Sequence, residues 1–154
     1  MSKYETLIFD LDDTLIDNNL SIKYAFTTII NQLEIEYSDD LFFKWKKFDT
    51  AYWHTWESGN MIIPDSIKTL EDKITYLRAN RFVIFFKELK IDFETAVAIN
   101  ELYCSMLGVN IVEIENACKL LQELNSDYEI IIATNGPKDA AINKLEKAKL
   151  KSYI

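Results

Sequence analysis

Two short, continuous apolar runs stand out along the chain, and each ends in polar residues. The first covers residues 6–11 and the second covers residues 128–134. Runs of this length without alternating polar positions are typical of strands that are buried on both faces of a parallel sheet. The pattern therefore predicts two strands of such a sheet.

Between and after these runs, apolar residues recur at helical spacing. A helix is predicted after the turn-forming residues Asp17, Asn18 and Asn19, and a second one runs from Ser38 to the glycine at position 59. Further helices are predicted over about residues 69–89, 93–107 and 113–124. A last helix begins at Gly136-Pro137, where the proline suits the first helical position.

This order of elements predicts an α/β fold with an insertion. One strand, about four helices, another helix, a second strand and a last helix fit a Rossmann-like parallel-sheet core that is interrupted by helices. We expect residues 1–17 and 109–154 to form part of the α/β core domain, and residues 18–108 to form an inserted helical domain. Because two strands are too few for such a sheet, the core is expected to be incomplete here and prone to self-association.

Composition changes this picture only by excluding some partners. The chain is 49% apolar and 27% charged, as folded globular proteins are. A net charge of −8 disfavours nucleic acid polymers, because their binding depends on clustered Lys and Arg. A small phosphorylated metabolite remains compatible with this charge. The apolar stretches are too short for a membrane span and the first residues show no signal pattern, so a cytoplasmic protein is expected.

The cysteines indicate neither zinc nor a disulfide framework. Cys104 and Cys118 lie in apolar, helix-like segments, outside any Cys-x-x-Cys or Cys/His cluster. We expect both to be buried, reduced thiols.

Acidic residues follow the first predicted strand directly. Asp10 and Asp12 lie at its C-terminal end, where open α/β sheets bind ligands, and their side chains point the same way. Converging carboxylates repel each other, and a hard cation such as Mg²⁺ relieves that repulsion. The pattern predicts that Asp10 attacks phosphorus and that Asp12 is the general acid and base. A simple turn is the alternative, which the strand context and Thr14 disfavour.

The second strand ends in Thr134-Asn135-Gly136. This segment offers a hydroxyl and free backbone amides at a helix N-terminus, which together suit a phosphate group. On its own, the segment is also explained by a turn. At the end of a strand next to the acidic motif, it predicts a phosphate site.

The aromatic residues between the strands have two interpretations. Tyr52, Trp53 and Trp56 could stack on a nucleobase. Packing inside the helical block is the favoured interpretation. His54, the single histidine, is expected to be a surface residue.

The two polar strand ends resemble the first two motifs of the haloacid dehalogenase-like superfamily, and the resemblance extends over residues 7–154. The matching segments are Leu-Ile-Phe-Asp10-Leu-Asp12-Asp13-Thr14-Leu and Ile-Ile-Ala-Thr134-Asn135-Gly136. The resemblance implies that Asp10 is the nucleophile, that Asp12 is the general acid and base, and that Thr134 orients the phosphate. It also implies that Asp10 and the backbone carbonyl of Asp12 bind Mg²⁺, and that the helical insertion is a mobile cap.

The resemblance implies a Mg²⁺-dependent phosphatase of small metabolites that forms an aspartyl-phosphate intermediate. Asp12 favours phosphoryl transfer, because the dehalogenase branch lacks this second aspartate. The subgroup that the chain resembles most is the noncanonical pyrimidine nucleotidases, judging from Asp12-Asp13-Thr14 and Trp53-x-x-Trp56-Glu57-x-Gly59.

One feature favours a different function. The family's third motif, a lysine, and its fourth, acidic metal ligands, would lie beyond Ile154. A truncated or degenerate, non-catalytic module that binds phosphate or a protein partner is therefore the alternative.

Overall fold

The structure, a computed structural model, describes residues 5–136 and 138–154. No helix in these two ranges is both long enough and apolar enough to span a membrane. The strands and helices, in chain order, are β1 (Thr6–Phe9), α1 (Asn18–Gln32), α2 (Asp39–Glu57), α3 (Leu70–Phe85), α4 (Phe93–Leu107), α5 (Ala117–Leu124), β2 (Glu129–Ile132) and α6 (Lys138–Lys147). Short 3₁₀ turns follow α3 at Lys87–Leu89 and α6 at Lys151–Tyr153.

The two strands form a parallel pair, so the predicted parallel-sheet core is confirmed. Thr6 pairs with Glu129, and Phe9 pairs with Ile132. The ladder continues one residue further, because the backbone N–H of Ala133 donates to the carbonyl of Phe9 at 2.9 Å. Both strands therefore end at the same edge of the sheet, and each is shorter than its apolar run predicted.

One face of this sheet is open to solvent. Ile8 and Ile131 pair across the two strands and are 67% and 41% exposed. On the opposite face, Ile130 is 5% exposed and lies in the core. The prediction of strands buried on both faces is thus wrong for one face within the described residues, because the helices around this sheet cover only the other.

Contacts divide the chain into two compact units. The α/β unit holds the described residues up to Ala25 and from Ser105 onward, and the helical unit is Phe26–Cys104. The boundaries fall inside α1 and α4. A hydrophobic core cluster of the α/β unit is formed by Leu11, Leu15, Ile16, Ala117, Leu121, Ile130, Ala141, Leu145 and Leu150.

Capping residues set the ends of the helices between the strands. Ser38 caps α2 by accepting a hydrogen bond from the N–H of Leu41 at 3.1 Å. Thr69 caps α3 in the same way through the N–H of Asp72 at 3.0 Å. Gly59, just after α2, has a φ of 75°, which favours glycine. The predicted start of the second helix at Ser38 and its end before Gly59 are confirmed.

Helix α5 begins later than predicted. It starts at Ala117, whereas the pattern predicted a start at Glu113. Glu113 instead forms an antiparallel bridge with Ile16, and the N–H of Ile114 donates to the carbonyl of Leu15 at 2.9 Å. This pairing holds the backbone at Glu113 in an extended conformation, which is incompatible with a helix that begins there.

Two smaller predictions have mixed outcomes. Pro137, predicted as the first residue of the last helix, lies outside the described residues, and α6 is described from Lys138. Both cysteines are free, but they are not buried as predicted, since Cys104 is exposed and Cys118 is half-buried.

The core of the helical unit is aromatic. The ring of Trp45 stacks on Phe82 with 5.0 Å between centroids and on Phe26 with 5.5 Å. Tyr52 is buried and donates its hydroxyl to the carbonyl of Leu77 at 3.1 Å, so its predicted packing role is confirmed. His54 has an 82% exposed side chain and is a surface residue, as predicted.

A buried arginine lies inside this aromatic core. Arg81 is 6% exposed and donates to the Asp49 carboxylate at 2.8 Å. Its guanidinium also lies over the ring of Phe82, 4.9 Å from the centroid, and over that of Tyr103, at 5.0 Å. Burial raises the pKa of Tyr103 to about 12. Because a buried charge is costly without a counter-ion, Asp49 is what makes this position tolerable for Arg81.

Replacing Asp49 by alanine should therefore lower the free energy of unfolding by about 3 kcal/mol, because it leaves Arg81 buried without its carboxylate. The matched control is Lys44→Ala, which removes the exposed pair of Lys44 with Asp40, where the side chains are 65% and 71% exposed. That control should cost less than about 1 kcal/mol. Denaturant unfolding measures both, and equal losses would contradict a stabilising role for the buried pair.

Candidate active site

Asp10 follows β1 directly, at the edge where both strands end. Its side chain is exposed, and the Thr14 hydroxyl donates to Asp10 Oδ2 at 3.4 Å. Thr14 reaches Asp10 because the chain turns back after the strand. The N–H groups of Leu15 and Ile16 both donate to the carbonyl of Leu11, at 3.0 and 3.1 Å. Burial of these three apolar residues anchors the turn that presents Asp10 to solvent.

Asp13 has a structural role in the same turn. Its φ of 62° is left-handed, a conformation that aspartate tolerates better than most residues. Its Oδ1 accepts a hydrogen bond from the N–H of Asn18 at 3.1 Å, at the start of α1. Asp13 therefore orders the loop, and we assign it no chemistry.

Asp12 is half-buried and is paired with a lysine. The ammonium of Lys144 lies 2.5 Å from Asp12 Oδ1, and the two side chains are 12% and 31% exposed, respectively. The same ammonium donates to Asn18 Oδ1 at 3.4 Å. The carboxylates of Asp10 and Asp12 thus have different partners, a hydroxyl for the first and an ammonium for the second.

Lys144 was not predicted from the sequence. It lies on α6 three residues after Ala141 and directly before Leu145, and both of these are buried. The sequence feature that could have indicated a role for this lysine is its position at the border of the apolar face of the helix. Its partner on the first-strand loop is 132 residues away, so the spacing within the helix gave no indication of it.

The second predicted motif begins at the end of β2. Because Ala133 is bonded to Phe9, Thr134 and Asp10 follow neighbouring strands at one edge of the sheet. Thr134 is half-buried, whereas Asn135 and Gly136 are exposed. The expectation of free amides is wrong for Gly136, since its N–H donates to Thr134 Oγ1 at 3.2 Å. This local bond closes a small turn, so a phosphate would have to compete for that amide.

The oxygen donors at this edge suit Mg²⁺ in part. The exposed carboxylate of Asp10 is a hard ligand of the kind that Mg²⁺ takes, as is the backbone carbonyl of Asp12. The side-chain Oδ1 of Asp12 is already bonded to Lys144. Within residues 5–136 and 138–154, no three or more His, Cys, Asp or Glu side chains are grouped to hold a metal ion. Both oxygens are of the type that Mg²⁺ prefers, and they would supply part of its coordination.

The fold and the motifs at the ends of the two strands together indicate the protein family. The chain belongs to the haloacid dehalogenase-like hydrolases, whose family pattern it matches over residues 4–154. The resemblance inferred from the two motifs is thereby confirmed.

Among individual relatives, the chain is similar to HAD-hydrolase YfnB of Bacillus subtilis, with 24% identity over 150 residues. The match covers 97% of this chain and 59% of that protein. A crystal structure of YfnB, described as bound to magnesium and as revealing interdomain movement, has a TM-score of 0.82 at 22% identity. That match covers 99% of this chain and 62% of YfnB.

More distant structures share the fold. The defluorinating L-2-haloacid dehalogenase Rha0230 has a TM-score of 0.65 at 15% identity, with coverage of 96% of this chain and 57% of the other. A haloacid dehalogenase-like hydrolase from Streptococcus pneumoniae has a TM-score of 0.55 at 18% identity, with coverage of 100% and 60%. The chain thus spans about three fifths of the length of the relatives that it matches.

Proposed function

We propose that the protein containing this chain is a Mg²⁺-dependent phosphatase of small phosphorylated metabolites that forms an aspartyl-phosphate on Asp10. The observation that carries this proposal is the different surroundings of the two aspartates after β1. Asp10 is exposed beside a hydroxyl, whereas Asp12 is half-buried beside an ammonium. Two carboxylates in different environments are suited to two different roles.

In the first step, a carboxylate oxygen of Asp10 attacks phosphorus and the bond to the leaving oxygen breaks. Protonated Asp12 gives its proton to that oxygen, so the alcohol leaves neutral and Asp12 becomes a carboxylate. In the second step, Asp12 takes a proton from water, which attacks phosphorus and releases phosphate and free Asp10. Mg²⁺, when bound, supplies positive charge beside the phosphoryl oxygens.

Thr134 is suited to orient the phosphoryl group. Its oxygen already accepts the N–H of Gly136, so its own hydroxyl hydrogen remains as a donor. Because Thr134 follows the strand that neighbours the one before Asp10, we propose that this donor bonds to a phosphoryl group held at that edge. Asn135, the exposed residue after it, completes the proposed phosphate site.

For the substrate, we propose nucleoside monophosphates as the first class to test. The support is a cavity of about 300 Å³ in the helical unit, whose lining includes the half-buried ring of Trp56 together with Lys68 and Lys73. An aromatic ring at the wall of a cavity suits stacking on a base. We propose that the helical unit is the cap domain of the enzyme.

A second candidate function is a non-catalytic module that binds phosphate. The observation in its favour is the incomplete metal coordination among the described residues. Such a module would bind inorganic phosphate in a calorimetric titration without hydrolysing any phosphate ester. Hydrolysis that depends on Asp10 would exclude it.

We expect Asp10→Asn in the complete protein to lower kcat for a generic phosphate ester by roughly a thousandfold or more, because an amide is not a competent nucleophile. Asp13→Asn is the matched control, since it makes the same change three residues away and retains an oxygen to accept the Asn18 N–H. The control should stay within about threefold of wild type. Substantial activity in a deamidation-free Asp10→Asn sample would rule out the mechanism.

Asp12→Ala should slow substrates with poor leaving groups by about 10²–10⁴-fold, because they depend on protonation of the leaving oxygen. Activated aryl phosphates depend on it less and should lose much less. The measurement is kcat for an alkyl phosphate and for p-nitrophenyl phosphate. Equal losses on both substrates would indicate that Asp12 mainly positions the metal.

A further inference from the structure

The ion pair between Lys144 and Asp12 ties two distant parts of the chain together. The Lys144 side chain is 12% exposed, and its ammonium lies 2.5 Å from Asp12 Oδ1. We propose that Lys144 is a positioning residue that holds the carboxylate of Asp12 in the orientation for proton transfer. This inference rests on the proposed function, since it assigns a role relative to the general acid and base.

Both ends of the pair are anchored in the same hydrophobic cluster. Leu11 directly precedes Asp12 and is 1% exposed, and Leu145 directly follows Lys144 and is 6% exposed. Both leucines belong to the core of the α/β unit. Packing of these leucines therefore fixes the distance between the backbone segments that carry the two charged groups. The ion pair thus differs from a pair between two mobile side chains on the surface.

A second contact extends the role of Lys144 to the rest of the loop. Its ammonium also donates to Asn18 Oδ1 at 3.4 Å, at the first residue of α1. The N–H of that same asparagine is held by Asp13. Lys144 thus contacts the loop after β1 both at Asp12 and at the start of α1, and it restrains the segment that carries the acid.

The use of Oδ1 leaves a clear assignment for the other oxygen. Lys144 bonds to Oδ1, so Oδ2 is the oxygen that this pair leaves to face a substrate. An ammonium on one oxygen limits rotation of the carboxylate, and a general acid is effective only when its proton lies within hydrogen-bond reach of the leaving oxygen. Lys144 therefore acts on the chemistry through Asp12, without touching the substrate.

The same unit contains a second lysine–carboxylate pair, which has no proposed role in the chemistry and serves as a comparison. Lys151 lies 2.5 Å from the carboxylate of Glu146, but both side chains are 53% exposed. An exposed pair of this kind contributes little to stability or geometry. Lys151→Met is therefore the matched control for Lys144→Met, since it removes a lysine–carboxylate pair of equal length.

The test measures Lys144→Met, Asp12→Ala and the double variant in the complete protein, with p-nitrophenyl phosphate and an alkyl phosphate as substrates. Lys144→Met should lower kcat for the alkyl phosphate about 10–100-fold, with a KM change below about threefold. The loss on p-nitrophenyl phosphate should be smaller. The double variant should be no slower than Asp12→Ala alone, because Lys144 has nothing left to position. Lys151→Met should match wild type.

Two results would overturn the inference: a Lys144→Met loss no larger than that of Lys151→Met, or a loss that adds fully to that of Asp12→Ala. If Lys144→Met does not fold, as judged by circular dichroism, Lys144→Gln replaces it and the same comparisons apply. Failure of the proposed function is distinct, because wild type would then show no turnover or Asp10→Asn would keep it. In that case the role assigned to Lys144 falls as well.

Discussion

The constraint on which the site depends is the placement of two aspartates within three residues at the end of a strand. Like charges this close repel each other unless positive charge or hydrogen bonds offset them. The two aspartates have different partners in the structure. The Thr14 hydroxyl contacts Asp10, and the Lys144 ammonium contacts Asp12. The turn after β1, the burial of Leu11 and the approach of α6 all serve to maintain that difference. The carboxylate of Asp10 is the exposed one of the two, and this is the basis for proposing it as the nucleophile.

Much of this arrangement could be predicted from the sequence, because it depends on local patterns. The apolar runs predicted the parallel strands, Ser38 and Gly59 predicted the limits of α2, and the motif residues predicted the family. What could not be predicted depends on tertiary contacts. The bridge from Glu113 to Ile16 shortens α5, and the partner of Lys144 lies 132 residues away. The exposure of Ile8 was missed because a continuous apolar run does not show which face its neighbours cover.

The two units differ in what holds them together, and this bears on the roles proposed for them. The α/β unit packs an aliphatic cluster beneath one face of a short sheet. The helical unit packs aromatic rings around a buried ion pair, which gives it a core of its own. A unit with its own core can keep its structure while it moves, as a cap requires. The cap role, the nucleotide substrate and self-association through the open sheet remain predictions.

The proposed mechanism is tested most directly by identifying the residue that carries the phosphoryl group during turnover. The complete protein would be mixed with Mg²⁺ and a phosphate ester, quenched in acid within the first turnovers and analysed by peptide mass spectrometry. We expect phosphate on Asp10 in wild type and in Asp12→Ala, where the second step is slowed, and none in Asp10→Asn. Phosphate on another residue, or rapid turnover with an unmodified Asp10 in both active forms, would contradict it.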